Sequence, residues 1–586
     1  MSVPEGGPRL HLFVERLPRR ESASEATARR STERVFRWWD YALFSSLTVI
    51  NFGAVYYFLS YWFERSNWIE HRLLLVALTV PTLVSLVLYE SRWIALPLMR
   101  KPRERPPTPG WSIAVATTFV PGAEPLGMLE ETVTALAALA YPHDTWVLDE
   151  GDDEEVKALC RRLGAFHFTR KNLPRYQTES GLFESRTKHG NYNAWLTEIA
   201  FDRYELVAAF DPDHVPDPDF LLRVIGQFDD REIGYVQAAQ VYYNQAASFI
   251  ARGAAEETYA YYSSVQMTSY ALGYPIITGC HNTHRVTALR SIGGFAPHEA
   301  DDLLMTMMYR ARGWKGVYLP IRLAVGLTPV DWGGYLNQQR RWARSVLDVK
   351  FRLHWRLARN LPVHERVVSL LHGLYYLHGL GSALFVALIG FMLSTGAVPS
   401  VFSYQTLTKL LVLVLAVQLC EFYRQRFFLD PKTEGGLHWR AGLLRYAKWP
   451  HVLLALYEAV SGKRHPYVIT RKVAAAGKEW TVAACHGVIA AFVIGAWAVG
   501  VARGLGTNTV LAASAGVIVV SSLAVSFTTL LRHPDPYDPK LRTREAEFER
   551  ETGLDHRDVV DAGRPVVHQD RAAKSAAPVV APMTTD

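Results

Sequence analysis

The chain has 586 residues, 49% of them hydrophobic and only 20% charged, with a formal net charge of +7. So high an apolar share excludes disorder along the whole length, and four cysteines with no C-x-x-C pair argue against a disulfide scaffold or structural zinc cluster. The basic balance fits a membrane protein with Lys/Arg-rich flanks better than a nucleic-acid binder, and no nucleic-acid partner is expected.

Residues 1–40 are rich in Arg and Ser, too long and too charged for a simple secretory signal, and read as a cytoplasmic segment before a retained anchor. A bilayer core takes about 20 mostly apolar residues per spanning helix. Six segments meet or approach that: 41–63, 73–90, 367–394, 406–423, 483–502 and 509–531. The second is interrupted at Glu90 and Arg92. Arg100, Lys101, Arg103 and Arg105 follow the second span, and Arg532, Lys540, Arg542 and Arg544 follow the sixth, whereas 395–405 is uncharged. This asymmetry puts both termini and the long central segment in the cytoplasm of a multi-pass protein of the cell (inner) membrane. The divisions expected are 1–40, two spans in 41–98, a cytoplasmic domain 106–360, two spans in 366–426, an interfacial part 427–480, two spans in 483–531, and a disordered tail 532–586.

The central segment opens on a Pro-rich linker and continues with WSIAVATTFV (111–120), an apolar β-branched run that reads as a buried parallel strand. A helix at 126–139, a strand at 145–150, a helix at 153–164 and a strand at 165–170 follow. This alternation is the pattern of a doubly wound α/β sheet. Such sheets bind ligands at the carboxyl ends of their strands, and the acidic residues fall there. Farther on, 440–461 reads as one amphipathic stretch lying in the membrane interface.

The strand ELVAAFDPDHVP ends in Asp211-Pro212-Asp213-His214. Two carboxylates one residue apart can hold a divalent cation against phosphate oxygens; the competing reading is a polar loop with helix-capping Asp residues. TWVLDEG ends similarly at Asp149-Glu150-Gly151. Asp301 and Asp302 precede an apolar helix and a closing strand, either as N-caps or with one carboxylate as a general base. In NQQRRWARS, Gln338, Arg341 and Trp342 stand at the start of an amphipathic helix just before the third span. Arg suits a diphosphate because its charged fork bonds two oxygens, and Trp offers a face on which a sugar ring stacks. A basic-aromatic membrane anchor is the alternative. Cys280, His281 and His284 are close enough to suggest a metal site, but no partner cluster is evident, and a loop shaping an acceptor pocket is the preferred reading.

Asp149, Asp211-x-Asp213, Ala300-Asp301-Asp302 and Gln338-x-x-Arg341-Trp342, in that order, resemble the membrane-integrated, processive family-2 glycosyltransferases, whose best-known members are cellulose synthase catalytic subunits and hyaluronan and chitin synthases. Lys188-His189-Gly190-Asn191-Tyr192-Asn193 is similar to the family's K-A-G-N-x-N, and Tyr467 to Lys472 to the F-x-V-T-x-K gating loop of cellulose synthases. The family's T-E-D reads Ala300-Asp301-Asp302 here, and its T-Y-N-E-P reads Thr118-Phe119-Val120-Pro121-Gly122-Ala123-Glu124-Pro125.

The resemblance implies a GT-A-type (Rossmann-like) α/β domain inserted among about six transmembrane helices. It implies inverting transfer from a UDP-sugar donor to a growing polysaccharide acceptor, coupled to secretion, with a cellulose-like β-glucan favoured. Asp302 would be the base and Arg341 would stabilise departing UDP. Thr118, Asp149, Lys188, Asp211, Gln338, Thr470 and Lys472 would bind the donor, and Trp342 and Asp301 the acceptor. Asp211, Asp213 and His214 would hold Mg²⁺ or Mn²⁺. His372, Tyr375, Tyr376 and His378 are candidates to line a polymer channel or to sit at the lipid interface. The lipid bilayer and an extracytoplasmic accessory subunit are the further partners implied. The stretch after the sixth span is too short for the cyclic-di-GMP-binding PilZ barrel of many bacterial relatives. Single-sugar transfer to a lipid carrier, hyaluronan- or chitin-type synthesis, and a non-catalytic scaffold or export channel are the alternatives.

Overall fold

The computed structural model describes residues 32–462, 479–506 and 508–531. The gating-loop positions Thr470 and Lys472 lie outside them.

Among the described residues six helices are long and apolar enough to cross a membrane: Trp38–Trp62, Arg72–Leu98, Val363–Thr395, Tyr404–Phe427, Trp480–Ala502 and Thr509–Thr528. They fall on the six segments expected. The second runs on past Glu90 because that carboxylate is buried and takes the Asn51 amide at 2.9 and 2.8 Å. Only 17% of the most apolar window of each of the first two helices is buried inside the protein. An apolar face of that extent left uncovered is the surface of a membrane protein. A short pairing of β1 (Thr32–Arg34) with β2 (Arg100–Pro102) joins the two ends of this helix pair.

Between the second and third long helices the chain builds an eight-stranded sheet. Its strands are β3 (Ile113–Phe119), β4 (Asp144–Asp149), β5 (Phe166–Phe168), β6 (Leu206–Phe210), β7 (Val215–Pro216), β8 (Ile233–Tyr242), β9 (Asn282–Arg285) and β10 (Lys315–Gly326), in the order β5-β4-β3-β6-β9-β8-β10-β7. The first four run parallel, as do β8 and β10. β9 lies antiparallel between β6 and β8, and β7 antiparallel beside β10. The sheet is therefore mixed, within the doubly wound α/β arrangement that the alternating pattern suggested. Helices α1 (Leu126–Ala137) and α2 (Glu154–Leu163) occupy the stretches read as helical. α2 is capped by Asp153, whose carboxylate takes the Glu155 amide at 2.8 Å, and stops at Gly164 with φ 69°.

Both faces of the sheet are covered. On one, Trp146, Leu148 and Val207 pack with Trp195, Leu304 and Met308; on the other, Val115, Phe210 and Val236 pack with Phe220 and Phe228. Burial on both sides explains why these strands read as continuous apolar runs. Helix α3 (Lys188–Trp195) begins at Thr187, whose hydroxyl accepts the Gly190 amide at 3.2 Å. It then fastens the strand ends: the Tyr192 hydroxyl donates to Ala116 O (3.0 Å) and Phe210 O (3.3 Å), and the Asn191 amide to Leu148 O (2.9 Å).

Helix α4 (Asp301–Ala311) precedes β10, and α5 (Trp332–Asp348) follows it. α5 starts at Trp332, capped by Asp331, which accepts the Gly334 amide at 2.7 Å. Gln338, Arg341 and Trp342 thus sit within the helix, not at its start. The 440–461 stretch is two helices, α6 (Trp439–Ala447) and α7 (Trp449–Ser461), divided where Pro450 has no amide hydrogen to continue the first.

Candidate active site

The register of β3, β4 and β6 brings three strand ends into line: Phe119 opposes Asp149, and Thr117 opposes Phe210. Thr118, Glu150 and Asp211 consequently face one cavity of about 1860 Å³. Lys188, Asp213 and His214 line the same space, as do Asp301 and Asp302 from the start of α4 and Gln338, Arg341 and Trp342 from α5. Motifs more than two hundred residues apart in sequence thus meet because the sheet edge, two helix starts and α5 close around one hollow.

Asp149 does not line it. Its carboxylate is fully buried behind the edge, accepting the Gly151 amide at 2.8 Å and the Asp153 amide at 2.6 Å, with His167 Nε2 3.1 Å away. It shapes the β4–α2 turn and presents its neighbours Glu150 and Gly151 to the cavity. Glu150 in turn holds Arg170 in a two-point pair at 3.0 and 2.8 Å. The fully buried Arg170 also donates to the carbonyls of Tyr176, Phe183, Glu184 and Thr187, gathering the loop that leads to Lys188. Sequence reasoning passed over Arg170; an Arg closing an apolar strand next to a strand that ends in Asp-Glu was the available signal.

At the centre, Lys188 Nζ stands 2.5 Å from Asp211 Oδ1 and 2.7 Å from Gly279 O. Burial alone would push this ammonium down, but Asp211, together with Tyr192, Asp301 and Cys280, outweighs it and holds Lys188 well above the usual lysine range. Across the cavity, burial raises the carboxyls of both Asp301 and Asp302 above the usual range. For Asp302 the neighbouring charge of Asp301 adds to burial, while Lys188 pulls the other way. The loop at Gly279 runs close to Asp302: a Cβ there would lie 3.4 Å from Asp302 Oδ2, and its φ of +78° suits glycine.

Asp211, Asp213 and His214 offer ligand atoms within 4.8 Å of one another, a spacing a divalent cation can bridge. That the Lys188 ammonium sits on Asp211 shows the pocket attracting positive charge. His214 is buried, with Asp213 Oδ1 3.2 Å from Nδ1 and the Gln240 amide nitrogen 3.0 Å from Nε2. Its ring lies against the end of β10, where a Cβ on Gly326 would come 2.1 Å from Nε2. Gly326→Ala is expected to force that ring out of place and cost about 1–3 kcal/mol, read as a lower unfolding temperature of the detergent-solubilised protein.

The cavity does not stop at the strand ends. It continues past Tyr261 and Tyr262 to His372, Tyr375 and Tyr376 on the third long helix, and to Arg92 and Trp93 on the second. Arg445 and Lys448, at the end of α6, line it as well. Lys448 is held by Glu257 at 2.9 and 3.0 Å and by Gln339 at 2.9 Å. Of the polar residues singled out in the spans, His378 is not on this wall; its Nδ1 lies 2.8 Å from Tyr375 O. In the K-H-G-N-Y-N run, Asn193 also turns away, bonding Leu182 O at 3.0 Å and both the carbonyl and the amide of Phe295 at 2.8 Å.

Residues 206–420 match the family model described as glycosyl transferase family group 2. The chain is similar to the cellulose synthase catalytic subunit [UDP-forming] of Xanthomonas axonopodis pv. citri (strain 306), 26% identical over 292 residues, 48% of this chain and 38% of that protein. It is similar to cellulose synthase 2 of Novacetimonas hansenii, 28% identical over 290 residues, 47% of this chain and 17% of that protein. The matched part thus spans well under half the length of these relatives. Among solved structures, a mannosyltransferase from Pyrobaculum calidifontis in complex with GDP-Man and Mn²⁺ aligns with TM-score 0.46 and 17% identity, over 66% of this chain and 98% of that one. Glucosyl-3-phosphoglycerate synthase from Mycobacterium tuberculosis, in complex with Mn²⁺, UDP and glucosyl-3-phosphoglycerate, aligns with TM-score 0.28 and 16% identity, over 40% of this chain and 78% of that one.

Proposed function

We propose that this chain, which carries a family-2 glycosyltransferase domain, transfers a sugar from UDP-sugar with inversion to the end of a growing β-linked polysaccharide. A cellulose-like β-glucan is the favoured product. The observation that carries this reading is the meeting, in one cavity, of the Asp302 carboxylate, the Asp211–Lys188 pair and the Gln338-x-x-Arg341-Trp342 face. The mixed sheet, the family match and the cellulose synthase relatives support it.

In this reading Asp302 takes the proton from the acceptor hydroxyl as it attacks the anomeric carbon from the face opposite UDP. Its raised pKa suits a base that must accept a proton near neutrality and release it again. Trp342 stacks on the acceptor's terminal sugar, and Asp301 bonds one of its hydroxyls, so that the attacking oxygen is oriented before reaction. Lys188, Gln338 and Arg341 face the diphosphate and stabilise the charge that builds on departing UDP. Thr118 reaches the nucleoside end, and Asp149 serves it indirectly by shaping the Glu150–Gly151 turn. Asp211 and Asp213, with His214 beside them, would hold Mg²⁺ or Mn²⁺, which when bound supplies charge neutralisation and a template for the diphosphate. Thr470 and Lys472 would close over the donor. The extension of the cavity to Tyr375, Tyr376 and Arg445 supports retention of the product and its passage among the long helices, hence processive synthesis coupled to secretion.

The test is UDP release by the purified, detergent-solubilised chain offered UDP-glucose, UDP-N-acetylglucosamine, UDP-glucuronate or GDP-mannose, with Mg²⁺ or Mn²⁺. Turnover with UDP-glucose and a glucanase-sensitive product supports the reading. A product of one sugar on a lipid carrier would favour the single-transfer alternative, and tight UDP binding without turnover a missing partner. The pH profile is a further check. Since burial and Asp301 raise the Asp302 pKa, the active carboxylate is lost as pH falls while still above the ordinary carboxylate range. Asp301→Asn removes the like charge, so the acid limb is expected to move to lower pH.

A further inference from the structure

The loop marked in the sequence by Cys280, His281 and His284 plays no part in the transfer chemistry above, yet it belongs to a second cluster. His284 is not in that cluster: its ring is 2.8 Å from Asn282 Oδ1 and 3.0 Å from the Tyr309 hydroxyl, inside the sheet. His214, delivered by the turn between β6 and β7, stands in its place. His214, Cys280 and His281 each offer a ligand atom within 4.8 Å of the other two, and their exposures are 1%, 1% and 0%. The partner that the local spacing lacked is thus supplied from 66 residues upstream (280 − 214).

Several observations distinguish this from an accidental meeting of buried side chains. His281 has φ +54°, the left-handed region that a non-glycine residue rarely adopts without cause. Its Nε2 is buried with no hydrogen-bond partner, a state that asks for an explanation such as an ion. The His214 ring is held in one orientation. Asp213 stands beside Nδ1 and the Gln240 amide nitrogen donates to Nε2, a contact that a cation at Nε2 would replace. A carboxylate behind a histidine is also what orients the ring in many metal sites. Finally, Cys280 is held rigidly: its carbonyl accepts the Gln237 amide at 2.8 Å, and its Sγ accepts the Asp211 amide at 3.3 Å. The two imidazoles meet edge to face at 4.6 Å.

We propose that His214, Cys280 and His281 form a buried site for a zinc-class cation beneath the Asp211–Asp213 carboxylates. Thiolate and imidazole donors select zinc and similar borderline ions, whereas a carboxylate pair suits Mg²⁺ or Mn²⁺. The two sites therefore take different ions although they adjoin, and His214 belongs to the thiolate site. Such an ion ties the 211–214 turn to the 278–281 loop, the loop that carries Gly279 past Asp302. It would fix the donor carboxylates relative to the acceptor base without touching either substrate.

The experiment is the metal content of the full chain, purified in detergent after growth with zinc and exchanged into Mg²⁺ buffer. It reads the same whichever sugar is transferred. About one zinc per chain is expected, lost in Cys280→Ser and His281→Gln and kept in Asp211→Asn. Because a buried substitution can prevent folding, the wild-type protein loaded with Co²⁺ provides a second reading: its spectrum should carry a thiolate-to-cobalt charge-transfer band. No zinc after reconstitution, zinc unchanged in Cys280→Ser, zinc lost in Asp211→Asn, or bound Co²⁺ without the thiolate band would each overturn the proposal.

Discussion

Asp302→Asn is expected to lower UDP release by about 10²–10⁴-fold, the contribution of a positioned general base, while UDP binding is kept. The amide is nearly isosteric and can still accept the Leu303 backbone amide, which lies 2.6 Å from Asp302 Oδ1. The start of α4 should therefore survive. What disappears is a group able to take the acceptor proton. Isothermal titration with UDP and a turnover assay on the same preparation separate the two effects. Full turnover in this variant would remove Asp302 from the chemistry and leave Asp301 as the candidate, since both carboxylates face the cavity.

Asp211→Asn should reduce turnover by about 10²–10³-fold and abolish stimulation by Mg²⁺ or Mn²⁺, corresponding to the few kcal/mol of charge stabilisation that a bound cation supplies. The variant also leaves Lys188 without its carboxylate at 2.5 Å. The side chains of that pair are 20% and 32% exposed, so solvent screening limits the accompanying loss of stability. Asp211→Asn combined with Lys188→Met removes both charges and should recover most of the lost stability but none of the metal response. Recovery of turnover in the double variant would mean that the lysine was being misplaced, not that a cation had been lost.

The six long helices were legible because a bilayer imposes length and apolarity directly on sequence. Strands β3, β4 and β6 were legible for a related reason: helices cover both faces, so Ile113–Phe119 or Leu206–Phe210 has no polar side to show. β9 was not legible. It is four residues, Asn-Thr-His-Arg, with no alternation, and it becomes a strand only because β6 and β8 stand on either side and satisfy its backbone. Reading this stretch as a loop grouped His284 with Cys280 and His281, whereas its pairing with β6 and β8 sets it beside Tyr309. Asp149 shows the complementary case. Its place at a strand end is what a ligand-binding carboxylate would have, but the turn after it bends so tightly that two backbone amides occupy its oxygens. Residue type and spacing marked the chemistry; the direction of each side chain depended on neighbours distant in sequence.

The place of β9 and β10 in the sheet has a consequence for how the protein is made. The turn Asp211–His214 is bounded by β6 and β7, and these pair with β9 and β10, which the ribosome delivers later. Until residues 282–285 have emerged, β6 presents an open edge of the kind that invites wrong pairing, and until 315–326 have emerged, β7 lacks its partner. By then the first two long helices, complete at residue 98, have already been synthesised. The nascent domain therefore stays half-closed until its last strand arrives. A chain released before β10 should leave β7 unpaired and be a ready substrate for proteolysis.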